Sequence, residues 1–169
     1  ALRQFGIDPL EIMEQSGIDL AKGANPDWRV SRTDFGELMT RCVEASGDEA
    51  FGLLASEQLQ PQVLHSLGLA WLASDTVYDG LKRLQRFSAL ISSGMVLRLE
   101  EEGECVHLHL STAPGLEHVV PSSHDYAVGV VTRMCRLTLG EFLAPIIIRM
   151  KRAPPAEPAG KTDDAKQEE

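Results

Sequence analysis

Several features that mark specialised proteins are missing from this sequence. Its three cysteines are scattered and form no C-x-x-C pair, so structural disulfides are not expected and a reducing cytoplasm is the default location. No run approaches the ~20 apolar residues of a membrane span, and the amino-terminal stretch lacks the basic and apolar regions of a secretory signal. We therefore expect a cytoplasmic protein that does not contact membranes.

Positive charge is also scarce. The chain carries 16 Lys and Arg against 25 Asp and Glu, a formal net charge of −9, whereas a domain that binds DNA phosphates is normally basic. The sequence contains no phosphate-binding loop, dinucleotide fingerprint, H-E-x-x-H or G-x-S-x-G motif. We therefore predict that the chain neither binds DNA directly nor acts as an enzyme, with no catalytic residue and no cofactor.

What the sequence does have is clear helix punctuation in its first half. With 169 residues, 43% of them hydrophobic, the chain is long enough to bury a core without disulfides. Asp8 followed by Pro9 is typical of a helix start, and Ser31 with Asp34 resembles a capping box. After Ser31, apolar residues recur at the spacing of one buried helix face: Phe35, Leu38, Met39, Cys42 and Val43.

Residues 64–92 are typical of two helices that meet at Ser74–Asp75. One side of the second helix is apolar and carries Val77, Leu81, Leu84, Ser88 and Ile91. The other side is crowded with Lys82, Arg83, Gln85 and Arg86. Such a basic face is more often solvated than not, although it could also bind a carboxylate effector.

Period-two alternation then predicts a β-hairpin with its turn at Glu102–Gly103. That turn pairs Leu99 with Val106. It also pairs Leu97 with Leu108, and these four residues form the core face. The opposite face is polar and carries Arg98, Glu100, Cys105, His107 and His109.

Cys105, His107 and His109 share that polar face because alternate residues of a strand point the same way. Zinc requires three or four ligands with supporting hydrogen bonds, and Arg98 opposite His107 would place a fixed positive charge beside the ion. We therefore predict no metal site. A solvated strand face is the favoured interpretation, and the wall of an effector cleft is the second.

The last third of the chain predicts a central helix over residues 121–141. Ser122–Asp125 contain the residue types of a hydrolase triad, but consecutive residues do not face one another on a regular element. We interpret Ser122 or Ser123 as the N-cap and Asp125 as a first-turn acid. A strand from Leu143 to Met150 follows, and the Pro-rich, charged residues 153–169 predict a disordered tail or linker.

Together these elements predict an α+β fold, with a helical layer packed on a small, mostly antiparallel sheet. Their order resembles the amino-terminal effector domain of AraC-type transcription regulators, in the branch labelled arabinose-binding. The matching pieces lie between residues 3 and 152 and include "SGDEAFGLLASE", "LGLAWLASDTVYDGLKRLQRF", "RLEEEGECVHLHL" and "APIIIRM".

The resemblance implies that residues 1–152 form a domain that senses a small-molecule effector and controls dimerisation. The effector could be an amino acid or an organic or fatty acid, and the protein partner would be a second copy of the chain. Promoter DNA would be bound only through a carboxy-terminal helix-turn-helix domain, which this sequence lacks. A ligand-free dimerisation or interaction domain is the alternative.

We place the effector between the helix over residues 76–92 and the hairpin, because cations and aromatic residues gather there. The expected effector-binding residues are Trp71, Tyr78, Arg83, Arg86, Phe87, Arg98, His107 and His109. The arginines would anchor an acid group, the aromatic residues would form apolar walls, and the histidines would line the hairpin side.

Overall fold

The α+β architecture predicted from the sequence is confirmed. A computed structural model describes residues 1–25, 28–92, 94–115, 119–140 and 147–151, and these contain six α-helices and two β-strands. In chain order they are α1 (Pro9–Gln15), α2 (Arg32–Ser46), α3 (Phe51–Glu57), α4 (His65–Leu72), α5 (Val77–Phe87), β1 (Met95–Glu102), β2 (Cys105–Thr112) and α6 (Pro121–Leu139). Short 3-10 helices cover Leu2–Phe5, Leu20–Ala24, Pro61–Leu64 and Ser88–Leu90.

The first helices start where the sequence predicts. The Asp8 carboxylate accepts a hydrogen bond from the backbone N–H of Leu10, and the Ser31 hydroxyl accepts one from that of Asp34, each at 3.0 Å. These bonds satisfy first-turn N–H groups that have no partner within the helix. Helix α2 ends at Gly47, whose φ of 66° is the left-handed conformation that glycine adopts without steric penalty.

The buried apolar side chains form two clusters, which α6 connects. The first cluster, which we call the N-terminal core, contains the buried residues Leu2, Ile12, Met39, Cys42 and Phe51. The second cluster, which we call the Trp71 core, contains the buried residues Leu59, Leu64, Leu67, Trp71, Leu84, Leu97, Val131, Met134 and Cys135. Tyr126 of α6 packs against the first cluster, whereas Met134, two turns later, lies in the second. The central position predicted for this helix is therefore confirmed.

The hairpin has the predicted faces but not the predicted register. The loop consists of Gly103 and Glu104, so Leu99 pairs with Leu108 and Leu97 pairs with Leu110. Gly103 takes the first loop position with φ 61°, a left-handed conformation that glycine permits. The pairing therefore shifts by two residues, which preserves the face of every side chain. Val106, expected in the core, is instead opposite Glu101 and 45% exposed.

The predicted N-cap of α6 is wrong. The helix begins at Pro121, with Val120 at the N-cap and no capping side chain, because proline is favoured at the first helical position. The earlier start turns Ser122 and Asp125 inward, and both are buried. Neither Ser122 nor Ser123 is a cap, and Asp125 is not an exposed first-turn acid.

The final strand predicted from Leu143 to Met150 is not found in the part of that range that the structure describes. Residues 147–150 have no strand assignment. Residues 143–146 lie outside the described part of the chain, and so does the predicted tail over 153–169.

Candidate functional site

Helix α5 packs against the hairpin, as the sequence-based site requires. Leu84 of α5 and Leu97 of β1 meet in the Trp71 core. At the outer edge, the Tyr78 hydroxyl donates a hydrogen bond to the Glu101 carboxylate. We use the name α5–hairpin surface for the expected residues Tyr78, Arg83, Arg86 and Phe87 of α5 and Arg98, His107 and His109 of the hairpin. The last three lie on the hairpin face opposite to Leu97, so the structure does not bring them together with the α5 residues.

Trp71, the eighth expected residue, lies beneath this surface. It is 2% exposed, and its indole N–H donates a hydrogen bond to the Thr138 hydroxyl at 2.9 Å. The face of its ring lies directly under Gly80, where an added Cβ would be 3.0 Å from the nearest ring atom. Trp71 is therefore a core residue that joins α4, α5 and the end of α6.

The cations of α5 already contact groups of the protein. Arg83 donates a hydrogen bond from one terminal nitrogen to the carbonyl oxygen of Ala70 at 2.6 Å. The Arg86 guanidinium lies 5.2 Å from the centre of the Phe87 ring. Lys82 forms an ion pair with Asp79 at 3.1 Å. These contacts hold the helix surface together, and a bound acid would have to compete with some of them.

The polar face of the hairpin alternates acids with bases. Arg98 and His109 both lie near Glu100, at 2.9 and 3.3 Å, and His107 lies 3.4 Å from Glu102. Within the described parts of the chain, no group of three or more His, Cys, Asp or Glu side chains is arranged to hold a metal ion. The geometry is that of a solvated strand face, on which the exposed Arg98–Glu100 ion pair is worth at most about 1 kcal/mol.

Two pKa shifts follow from this packing. The hydrogen bond to Glu101 raises the pKa of Tyr78, because phenol loses that bond and meets a negative charge when it ionises. The pKa of Asp79 is lowered by the hydrogen bond from Thr76 and by Lys82. The corner between α5 and β1 is therefore a local network of polar contacts.

A second concave region lies between α3 and α6. This α3–α6 cleft has a volume of about 510 Å³ and is lined by Leu53, Ser56, Glu57, Gln58, Val128, Gly129, Thr132, Arg133, Arg136 and Ile148. The five α6 residues fall on one helical face. The volume is within the range of roughly 300–1,000 Å³ that is typical of small-molecule sites.

The helices approach most closely at the floor of this cleft. A Cβ added to Gly129 would lie 2.0 Å from the Ser56 hydroxyl oxygen, and one added to Gly52 would lie 2.0 Å from the Ser122 carbonyl oxygen. Small residues therefore bring the two backbones together. Helix α3 ends at Glu57 while α6 continues to Leu139, and Leu53, Ser56 and Glu57 of α3 line the cleft together with the α6 residues.

Comparison with protein-family models matches residues 6–163 to the arabinose-binding domain of AraC transcription regulators, which is the N-terminal domain of those proteins. The chain belongs to this family. The matched range includes α1 to α6 and both strands. No curated protein matches the chain in a sequence comparison.

Membership of the AraC family supports the regulatory interpretation of the sequence. The matched family is an effector-binding regulatory domain rather than a class of enzyme. Ser122, His124 and Asp125 follow one another on α6, so they do not converge on one point. None of the described helices combines the length and hydropathy needed to cross a membrane.

The sequence-based reasoning did not identify the α3–α6 cleft of this AraC-family domain. Two signals were present. Gly52, Ser56 and Gly129 are small residues inside helices, which can mark close backbone approach. Arg133 and Arg136 are three residues apart on an otherwise largely apolar helix, so they share a face. The sequence alone does not show that α3 and α6 are neighbours.

Proposed function

We propose that this domain binds a small-molecule effector in the cytoplasm and transmits its bound state to attached DNA-binding domains by changing how two copies pair. The observation that carries the proposal is the match of residues 6–163 to the effector domain of AraC regulators. The acidic net charge of −9 agrees with a domain that leaves DNA contact to another part of the protein.

Such signalling requires that the effector bind one conformation of the domain more tightly than another. An effector that binds two conformations equally well leaves their relative populations unchanged, however tightly it binds. The corner formed by α5 and the hairpin suits this role because its contacts are local and polar, and such contacts can exchange for contacts to a ligand. An acid bound by Arg98 would compete with the Glu100 carboxylate, which lies 2.9 Å away.

Thermal unfolding of the chain with a panel of amino acids, organic acids and fatty acids tests the proposal. An effector present at 100 times its dissociation constant should stabilise the folded state by about 2.7 kcal/mol. If no member of a broad panel raises the melting temperature, effector sensing by this domain is contradicted.

The α5–hairpin surface is tested with two variants, Arg86→Ala and Arg98→Ala. Both side chains are exposed, so their removal should leave the fold intact. We expect each to reduce the stabilisation by the effector. Unchanged stabilisation in both variants would show that the effector binds elsewhere.

The alternative is a domain that only dimerises, and one feature favours it. Val63, in the turn before α4, and Leu69 and Leu72 of α4 are 60%, 62% and 51% exposed. Leu69 and Leu72 are three residues apart and share a helix face, and exposed apolar residues that form a patch are typical of protein contact surfaces. A pure dimerisation domain should show a melting temperature that depends on protein concentration and on no small molecule.

A further inference from the structure

We propose that the α3–α6 cleft is a binding site for a small carboxylic acid with an apolar body. None of its described lining residues belongs to α5 or to either strand, so it is a different site from the α5–hairpin surface. Acid binding in the cleft does not depend on the regulatory role proposed above.

The shape of the cleft follows from unequal helix lengths. Gly129 fits against Ser56 with no room for a side chain, which closes the cleft at one end. Farther along α6 the lining carries Thr132, Arg133 and Arg136, and Glu57 and Gln58 line the cleft at the end of α3. A ligand can therefore lie along α6 with one end against the small residues and the other beside the arginines.

The charge of the cleft points to an acid. Two arginines and one carboxylate, Glu57, line it, so the lining has a formal charge of +1 in a chain whose net charge is −9. Both arginines also interact within the chain. A guanidinium has five N–H donors, and an interaction within the chain need not use all of them. Arginine is also the residue best shaped to bind a carboxylate through two parallel hydrogen bonds.

The remaining walls favour an apolar body on the ligand. Leu53 is 42% exposed and Ile148 is 53% exposed, and both line the cleft with Val128. Covering their side chains would remove apolar surface from water at about 25 cal/mol per Å². A branched aliphatic acid would supply both the charge for the arginines and the methyl groups for these residues.

Arg98 of β1 and Lys82 of α5 each lie beside a carboxylate. Arg98 lies 2.9 Å from Glu100, and Lys82 lies 3.1 Å from Asp79. Two further glutamates, Glu101 and Glu102, follow Glu100 on β1. An incoming carboxylate meets like charges there, whereas one carboxylate lines the α3–α6 cleft among its described residues.

Methyl NMR of the whole chain tests the proposal directly. Sodium 4-methylpentanoate is the probe, and 4-methylpentanamide is the matched neutral compound of the same shape. We expect the acid to shift the methyl signals of Leu53, Val128 and Ile148 in a saturable way, with a dissociation constant in the millimolar range or tighter. The amide should bind at least about tenfold more weakly, because it loses the charge-assisted hydrogen bonds.

Two variants then locate the acid group. Arg136→Gln should weaken binding of the acid about tenfold or more. Arg3→Gln, at an exposed arginine that does not line the cleft, is the matched control that should leave binding unchanged, and Arg86→Gln tests the α5–hairpin surface. Leu53→Asp is a second variant at an exposed position, where the new carboxylate should abolish binding by repulsion. Thermal unfolding of each variant shows whether it is folded.

Three outcomes would overturn the proposal. No saturable shift with the acid, or equal binding of acid and amide, would show that the cleft does not recognise a carboxylate. A loss of binding in Arg86→Gln with none in Arg136→Gln would move the site to the α5–hairpin surface. Methyl shifts in the cleft without any change in dimer state would leave the acid site established and contradict the regulatory role alone.

Discussion

The contact between α3 and α6 and the contact between α5 and the hairpin are built in opposite ways. Where α3 meets α6, Gly52 and Gly129 bring backbones together because they carry no side chain. Where α5 meets the hairpin, large side chains fill the space, with Leu84 and Leu97 above Trp71. A polar edge between Tyr78 and Glu101 completes that contact.

The difference predicts opposite sensitivities to mutation. A contact that depends on missing side chains should fail when atoms are added, since neighbouring backbone cannot move aside. A contact that depends on large side chains should fail when atoms are removed, since a cavity is left behind. The polar edge should tolerate both kinds of change.

Trp71→Ala should have the largest effect. The side chain is 2% exposed and joins α4 to α5 and α6, so its removal leaves a large cavity. We expect the free energy of unfolding to fall by about 4 kcal/mol, measured by urea denaturation. Trp71→Phe keeps most of the volume and should lose less than half as much, and equal losses would contradict the cavity explanation.

Gly52→Ala should have the next largest effect. The new Cβ would lie 2.0 Å from the Ser122 carbonyl oxygen and 2.9 Å from the Tyr126 backbone nitrogen, and both are main-chain atoms. We expect a loss of about 3 kcal/mol.

Gly36→Ala is the matched control for that prediction. Gly36 also lies inside a helix, but an added Cβ would meet nothing within 4 Å. This variant should gain about 0.5 to 1 kcal/mol, because alanine favours the helix more than glycine does. If both glycine variants lose stability equally, close approach of α3 and α6 is not the cause.

Arg83→Ala should have a moderate effect. It removes the hydrogen bond at 2.6 Å to the Ala70 carbonyl oxygen, which joins α5 to α4, and we expect a loss of about 1 kcal/mol in urea denaturation. Arg86→Ala, one turn away and exposed, should change stability by less than about 0.5 kcal/mol. A larger loss in the Arg86 variant would contradict this assignment.

The Tyr78–Glu101 hydrogen bond should be visible in an alkaline titration. Since folding raises the pKa of Tyr78 above its ordinary value of 10.0, the associated stabilisation is complete below pH 10 and is lost as the pH rises through the pKa of the folded state. Phenolate absorbance measures that pKa in a Tyr126→Phe background, since burial raises the pKa of Tyr126 too. Glu101→Gln should lower the pKa of Tyr78 towards 10, and no change would contradict the hydrogen bond.

The smallest effect concerns thiol reactivity. Burial raises the pKa values of Cys42 and Cys135 to about 11, whereas Cys105 is exposed on the hairpin. A colorimetric thiol reagent should therefore modify one cysteine quickly and two only on unfolding. Cys105→Ser should abolish the fast phase, and a remaining fast phase would show that one of the cores opens.

Sequence patterns predicted the elements and faces of this domain well, because those depend on local periodicity. Local periodicity does not determine the pairing register of the hairpin. Alternation places Leu97 and Leu108 on the core face both in the predicted register and in a register shifted from it by two residues. Only the choice of Gly103 and Glu104 as the loop selects the observed pairing.

The candidate sites were less predictable because they depend on which elements meet. Tyr78 and Glu101 are 23 residues apart, and Gly129 and Ser56 are separated by most of the domain. No local pattern pairs them. Trp71 illustrates the same problem, since its position among cations and aromatics suggested a binding wall although the residue is buried in the core.

The hydrogen bond from Trp71 to Thr138 gives the protein a built-in fluorescent reporter. Thr138 follows Arg136 by two residues on the last turn of α6, so the emission of this indole is sensitive to movement at that end of the helix. Trp28 is the second of two tryptophans, and a Trp28→Phe background would leave Trp71 as the sole emitter. Ligand binding in the α3–α6 cleft would then be followed without an added label by the fluorescence of Trp71, which contacts α6 on the side opposite to the cleft.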